Sequence, residues 1–331
     1  MNKDELIRGY QAGQRDFSGV DLNGVAISNV DLSGINLSHA NLGGANLHRV
    51  NLSYANLSHA NFMGGADFDQ VNLSYANLSN VCLDHTLLKN SYLTGANLSC
   101  ISALQSSWNN CDLSGADLSN IDFEEVNLSS SNLSQASLTH ACFSVSVKLN
   151  DVNLSKANLT GANLTGVCSF IKVNLSDATL TRTLYGSCIN AVVDVDLTQK
   201  GAILIESGAD LSGFDLSYYI SHFPNNFRLS VIGGLSEVNF SHANLKGIDL
   251  SDEELTSANF SYANLASANL NGADLTDAKL CHANLEEADL SYADLSYANL
   301  RDTNLRNANL TDVHFCNTIM PDGRVRNDNS D

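Results

Sequence analysis

Histidine recurs at a fixed interval in this chain. His39 and His59 stand twenty residues apart, and His242, Tyr262, His282 and Asp302 keep the same spacing later on. Imidazoles brought together at such an interval could share a transition-metal ion, because a neutral ring nitrogen is a good ligand for zinc and its neighbours. Neither set gains a third ligand from a neighbouring column, so exposed histidines on turns are the simpler reading. Carboxylates repeat in the same way at Glu254, Asp274 and Asp294. Like charges stacked about 5 Å apart repel unless solvent, counter-ions or a basic partner offset them. No Ser-His-Asp set, phosphate loop or nucleotide fingerprint stands out from the repetition. Of the eight cysteines, Cys111 and Cys188 fall where a small inward residue belongs, while Cys281 and Cys316 fall on turns. All eight read as free thiols. A catalytic centre needs one place unlike the rest, so no enzyme, cofactor site or metal site is expected.

What stacks residues twenty apart is the underlying period. In "NLSHANLGGANLHRVNLSYANLSHANF", residues 36–62, Leu or Phe returns at every fifth position. An α-helix does not use this period, because five residues rotate each leucine by about 140° from the last. A straight strand fails as well, since an odd period flips each leucine to the opposite face. A turn inside every repeat is therefore required. In the unit Ala-Asn-Leu-Ser-x, Ala and Leu share one face of a short extended segment and Asn takes the other. The next two residues are small, polar or turn-compatible and re-aim the chain. A chain that bends alike every five residues closes into an all-β solenoid, a β-helix. "NLSHA" at 36–40 and 56–60, and "NFSHANL" at 239–245 with "NFSYANL" at 259–265, suggest four units per coil or are coincidences of a repetitive chain.

The A(N/D)LSx run resembles the pentapeptide-repeat family, over most of the chain from Phe17 to Met320. The resemblance implies a right-handed quadrilateral β-helix. It is far more specific for fold than for function.

Residues 1–16 carry a different pattern. Leu6, Ile7 and Tyr10 lie at helical spacing, with Asp4 near the start and Gly13 past the end, which predicts a short N-terminal helix capping the first coil. A first repeat block is expected over 17–216, irregular from about 181. One-residue slips before Phe68, near 144–146 and near 165–167 are expected to be corner bulges. Trp108 occupies a position usually held by Leu, and local distortion of that coil is expected. Residues 217–238 interrupt the pattern, a second block follows over 239–320, and 321–331 form a polar tail expected to fray.

Charge and surface narrow the function. The chain carries 36 acidic and 17 basic residues, a formal net charge of −19. Such a balance disfavours direct binding of nucleic acid or anionic membrane. No charged leader precedes an apolar run and no apolar stretch is long enough to span a bilayer, so a cytoplasmic protein without membrane insertion is expected. Two roles come forward. One is a non-enzymatic scaffold that binds an unidentified protein through the interruption, where Tyr218, Tyr219, His222, Phe223, Phe227 and Arg228 concentrate aromatic groups. The same phenylalanines could instead cover the coil edge left by the break. The other role is an acidic DNA mimic, as some family members are towards DNA gyrase, with the Glu254, Asp274 and Asp294 column as its surface. Neutral asparagine on the outer faces dilutes that mimicry. The ends, "ELIRGYQAGQRDFSGVDL" and "IMPDGRVRND", resemble those of cyanobacterial members of the family, which implies a regulatory role exerted by protein contact.

Overall fold

The computed structural model describes residues 1–186, 202–205, 209, 211–213 and 234–328. They form two compact units, Met1–Ile203 and Leu204–Asp331. Each is a right-handed quadrilateral β-helix, built from parallel coils stacked along the chain. One coil of the first unit shows how the repeat works. Leu37, Leu42, Leu47 and Leu52, one per side, are all at most 3 % exposed. Burial of each contributes roughly 1.5–3 kcal/mol. The Leu42 amide donates to the Asn61 carbonyl of the following coil at 2.7 Å, and the Asn41 amide donates to Val20 of the preceding coil at 2.9 Å. The main chain is therefore satisfied between coils rather than within them.

The corner is made by the last two residues of the repeat. The Ala40 amide donates to the Leu37 carbonyl at 3.0 Å, and His39 between them has φ 58°. Positive φ at the third residue is the mark of a type II turn, usually filled by Gly or Asn. Here His, Tyr, Asn and Asp also adopt it at successive corners. The His39 amide donates to Ser58 of the next coil at 3.0 Å, and such bonds offset the cost of the left-handed conformation.

The longer sides register as strands. In the first unit β1 (Ala26–Ser28), β2 (Asn46–His48), β3 (Asp67–Asp69), β4 (Leu87–Lys89) and β6 (Ser107–Asn109) form one parallel sheet. A second sheet contains β5 (Ser102–Leu104), β7 (Asp122–Glu124), β8 (Cys142–Phe143), β10 (Asn163–Leu164) and β12 (Leu184–Gly186). Strands β9 (Val147–Lys148) and β11 (Val167–Ser169) pair separately with a register shift. The Ile203 amide, at the start of β13 (Ile203–Ile205), donates to Thr183 at 2.7 Å.

The expected slips are corner bulges. Across the first, Asn51 pairs with Asn72, twenty-one residues on, and Gly64 and Gly65 take φ 93° and 82° in the corner. The second pushes Val145 out to 43 % exposure, and the third places Gly166 against Ser144.

The coil holding Trp108 is not distorted, contrary to expectation. Leu88 pairs with Trp108 in register and the Trp108 amide donates to Asn127 at 2.8 Å. Room comes from the preceding side of the same coil, where Ala103 stands in the place of Leu. The indole, 0 % exposed, reaches across to Phe123 of the next coil, edge to face at 5.5 Å.

The helix α1 (Lys3–Gln11) forms as anticipated. Its start is set by Asn2 rather than Asp4. The Asn2 side chain accepts from the Glu5 amide at 2.9 Å, and the Glu5 carboxylate accepts from the Asn2 amide at 2.9 Å. Leu6 is wholly buried and the Tyr10 hydroxyl donates to the Ser33 carbonyl at 2.7 Å, which seats the helix on the first coil.

In the second unit the coils resume before the end of the expected interruption, whose residues 217–233 lie outside the described residues. The Leu211 amide donates to the Asn239 carbonyl at 2.8 Å, twenty-eight residues on, where a regular coil places the acceptor nineteen residues on, as from Leu37 to Asn56. Leu235 and Val238, within the expected interruption, are buried coil residues, and the Leu235 amide donates to Glu254 at 2.9 Å. At the other end the tail is pinned as far as Asp328 instead of fraying. Strand β14 (Thr318–Ile319) pairs antiparallel with β15 (Val325–Arg326). The Arg326 guanidinium lies 3.8 Å from the Phe315 ring centre, and the Asp328 amide donates to Phe315 at 2.7 Å.

Candidate functional site

The outer face is dominated by asparagine, and many of these side chains are used twice. The Asn36 side-chain oxygen accepts from the Ser38 amide at 3.1 Å and from the Asn56 side-chain amide at 3.1 Å. Asn77, Asn153, Asn264 and Asn284 repeat the arrangement, each donating to the preceding coil. Columns begin on aspartate: Asn36 donates to Asp16, Asn41 to Asp21 and Asn51 to Asp31, each at 2.9 Å. A first coil has no coil below it to receive a side-chain amide, and an acceptor-only carboxylate leaves no donor unpaired. These side chains are committed to one another, which leaves little polar capacity for a ligand.

Glu254, Asp274 and Asp294 do stack in consecutive coils, with His314 above them. Their carboxylates do not converge on a shared centre. Asp274 accepts from the Thr276 amide at 2.9 Å and the Thr256 hydroxyl at 3.2 Å, and Asp294 accepts from the Ser296 amide at 2.8 Å. Partial burial of Asp274 favours its protonated form, but these bonds outweigh it and the pKa is lowered.

The two histidine columns behave differently. His39 and His59 stack with ring centres 5.0 Å apart and planes within 4°. In the other column Tyr262 separates His242 from His282, at 4.9 and 4.6 Å, and Asp302 approaches His282 Nδ1 at 3.8 Å. A corner pair not anticipated from the sequence, Tyr54 and Tyr75, stacks at 5.3 Å. Among the described residues, no group of three or more His, Cys, Asp or Glu side chains comes together around a common point.

The repeat itself is what the chain shares with known proteins. Pentapeptide repeats match in eight copies, at 31–65, 63–90, 72–101, 109–144, 146–184, 235–272, 268–307 and 283–322. The chain belongs to the pentapeptide-repeat family. Among solved structures it is similar to HetL, a pentapeptide-repeat protein involved in heterocyst differentiation regulation from the cyanobacterium Nostoc sp. strain PCC 7120. The identity is 24 %, over 98 % of this chain and 100 % of that one, with a TM-score of 0.24. It is also similar to trypsin-treated QnrB1, a plasmid-mediated fluoroquinolone resistance protein, at 22 % identity over 57 % and 89 % of the two chains, TM-score 0.41. A pentapeptide-repeat protein of the Arabidopsis thaliana thylakoid lumen matches at 25 % identity over 39 % and 71 %, TM-score 0.23. No curated protein matches the chain.

One column of this pentapeptide-repeat protein escaped the sequence reading because a bulge shifts its spacing. Ser28, His48 and Asp69 lie in register on β1, β2 and β3, and His48 Nδ1 stands 3.1 Å from Asp69 Oδ2. The order is that of a hydrolytic triad, yet the chemistry is missing. Among the described residues no hydrogen bond joins Ser28 to His48, and the Asn29 and Arg49 amides, potential oxyanion donors, are spent on His48 and Asp69 carbonyls at 3.0 Å. The Asn90 side chain donates to Asp69 at 3.0 Å and Asn110 donates to Asn90 at 2.8 Å, extending a polar ladder.

The expected partner residues Tyr218, Tyr219, His222, Phe223, Phe227 and Arg228 lie outside the described residues, as does Cys188. Cys111 sits inward as anticipated, and burial pushes its thiol up to about 11. Among the described residues, no helix is long and apolar enough to cross a membrane.

The aspartates give the fold a defined acid response. Bonds from Ser291 and Asn309 lower the pKa of Asp289, and bonds from Ser18 and Asn36 lower that of Asp16. A depressed folded-state pKa contributes stability above the unfolded value, near 3.8, and that contribution is lost as pH falls through the folded value. Urea midpoints are therefore expected to be flat from pH 7 to 5 and to drop below about pH 4. An Asp289→Asn variant should show a smaller acid drop, and an equal drop would exclude Asp289 as a contributor.

Proposed function

We propose that this pentapeptide-repeat protein is a non-enzymatic scaffold that binds a protein partner where its repetition stops, at the break before Leu235. The observation that supports this reading is the commitment of the outer asparagines to ladders and corner turns. A surface whose polar groups bond to one another, and which repeats coil after coil, offers little to distinguish one partner from another. Selectivity then falls to segments outside the repeat, and loops on an ordered frame commonly carry it. Tyr218, Tyr219 and Arg228 are the side chains proposed to contact the partner, with His222, Phe223 and Phe227 beside them. The regulatory setting is the one implied by the resemblance of its ends to cyanobacterial members of the family, with the cytoplasm as its proposed location.

Nothing favours the DNA-mimic reading to the same degree. Asp274 and Asp294 bond to their own corner turns, as structural aspartates do elsewhere in the chain.

The test is affinity capture from the native organism followed by identification of the retained protein. Replacing Tyr218, Tyr219 and Arg228 together by alanine is expected to reduce capture at least tenfold while leaving the melting temperature within a few degrees. Replacing Glu254, Asp274 and Asp294 by their amides should leave capture unchanged. Intact capture by the first variant, or loss with the second, would move the site to the repeat surface.

A further inference from the structure

We propose that His39 and His59 form a chelating site for a late first-row divalent cation, with water completing the coordination sphere. Both residues occupy the third position of a corner turn, with φ 58° and 57°. Their amides are anchored to Ser58 and Ser79 of the following coils at 3.0 and 3.2 Å. The coil repeat, rather than chance side-chain packing, therefore holds the two imidazoles as neighbours, with ring centres 5.0 Å apart and planes within 4°. Two nitrogens bound side by side to one ion at about 2.0–2.1 Å stand roughly 3 Å apart. In the parallel stack the nitrogen lone pairs run side by side, so each ring must turn by roughly 45° as well as lean inward by about 1 Å to face a shared ion, and both side chains are exposed.

The surroundings leave space for the ion. The position below His39 in the column is Gly19, where a Cβ would meet nothing within 4 Å. The position above His59 is Asn80, whose amide oxygen is a further neutral donor. Two imidazoles suit nickel, copper and zinc over magnesium or calcium, which prefer oxygen ligands. The second histidine column provides an internal contrast. Tyr262 stands between His242 and His282, at 4.9 and 4.6 Å, so those imidazoles are too far apart to share an ion.

The test is a calorimetric titration of the full chain with Ni(II) at pH 7.5. Nickel is chosen because copper would oxidise free thiols such as the exposed Cys100. One site per chain is expected, with Kd raised at least tenfold in His39→Ala and in His59→Ala but unchanged in His282→Ala. Both exposed variants are expected to keep the wild-type circular dichroism, so a lost site is distinguishable from a lost fold. No nickel binding by the wild type, or equal binding by His39→Ala or His59→Ala, overturns the assignment.

Discussion

Trp108→Ala is expected to destabilise the first unit by about 3–5 kcal/mol, the usual cost of removing a large aromatic from a closed core. The indole is 0 % exposed and meets Phe123 edge to face, so its removal empties the middle of a coil that cannot collapse. The coils above and below hold that coil at fixed spacing through bonds such as Trp108 to Asn127 at 2.8 Å. Urea denaturation followed by circular dichroism measures the loss, and a change below about 1 kcal/mol would mean the coil closes over the gap. The partner of the indole is as important as the indole itself. Ala103→Leu alone should overpack the same space and cost roughly 1–3 kcal/mol. Combined with Trp108→Leu it should restore the ordinary four-leucine coil, so the two changes are expected to couple by about 1–3 kcal/mol. Strict additivity would show that the two sides do not share volume.

Gly166→Ala is expected to be the most damaging glycine-to-alanine change among the described residues. A Cβ there would stand 1.7 Å from the Ser144 carbonyl oxygen and 2.2 Å from its carbon, both main-chain atoms. No rotamer change relieves a clash with backbone. The loss should lie at or beyond the upper end of the roughly 1–3 kcal/mol that overpacking usually costs. Hydrogen exchange should place it locally, with protection lost at Val147 and Gly166, whose amides donate at 3.2 and 3.1 Å across the bulge. Gly115, where a Cβ would meet nothing within 4 Å, is the comparison: its φ of 64° strains an alanine, but without a steric clash. Equal effects at the two positions would rule out the clash as the cause.

The architecture was legible because every coil restates it. A period of five admits no helix stripe and no flat strand, and the phase of the leucines exposed the three corner bulges to within about three residues. What escaped depended on relations between sides that no period encodes. Trp108 looked oversized beside Leu88 and Leu128 in its own column, whereas Ala103 on the neighbouring side makes its room. The Ser28, His48 and Asp69 column was hidden because one of its steps is twenty residues and the next twenty-one. The docking of Asp328 on Phe315 requires knowing which coil edge lies open, and the composition of the tail says only that it is polar. The histidine and carboxylate columns were read correctly as neighbours. Whether neighbours converge was beyond spacing, since it depends on which turn amides each carboxylate accepts.

The aspartates that open the asparagine columns also divide the chain into interchangeable lengths. Asn132, Asn153 and Asn174 form one donor line that ends on Asp112, and Asp112 has no amide to hand further down. Asn269 ends on Asp249 and Asn309 ends on Asp289 in the same way. Each line is thus a phrase with its own first word. Within its column, joining the chain just before such an aspartate strips no side-chain amide of its acceptor whatever lies below, whereas an asparagine at the join keeps its bond only if an acceptor lies below it. A solenoid lengthened or shortened at such an aspartate keeps the outer ladder of that column whole, whatever coil is set beneath it.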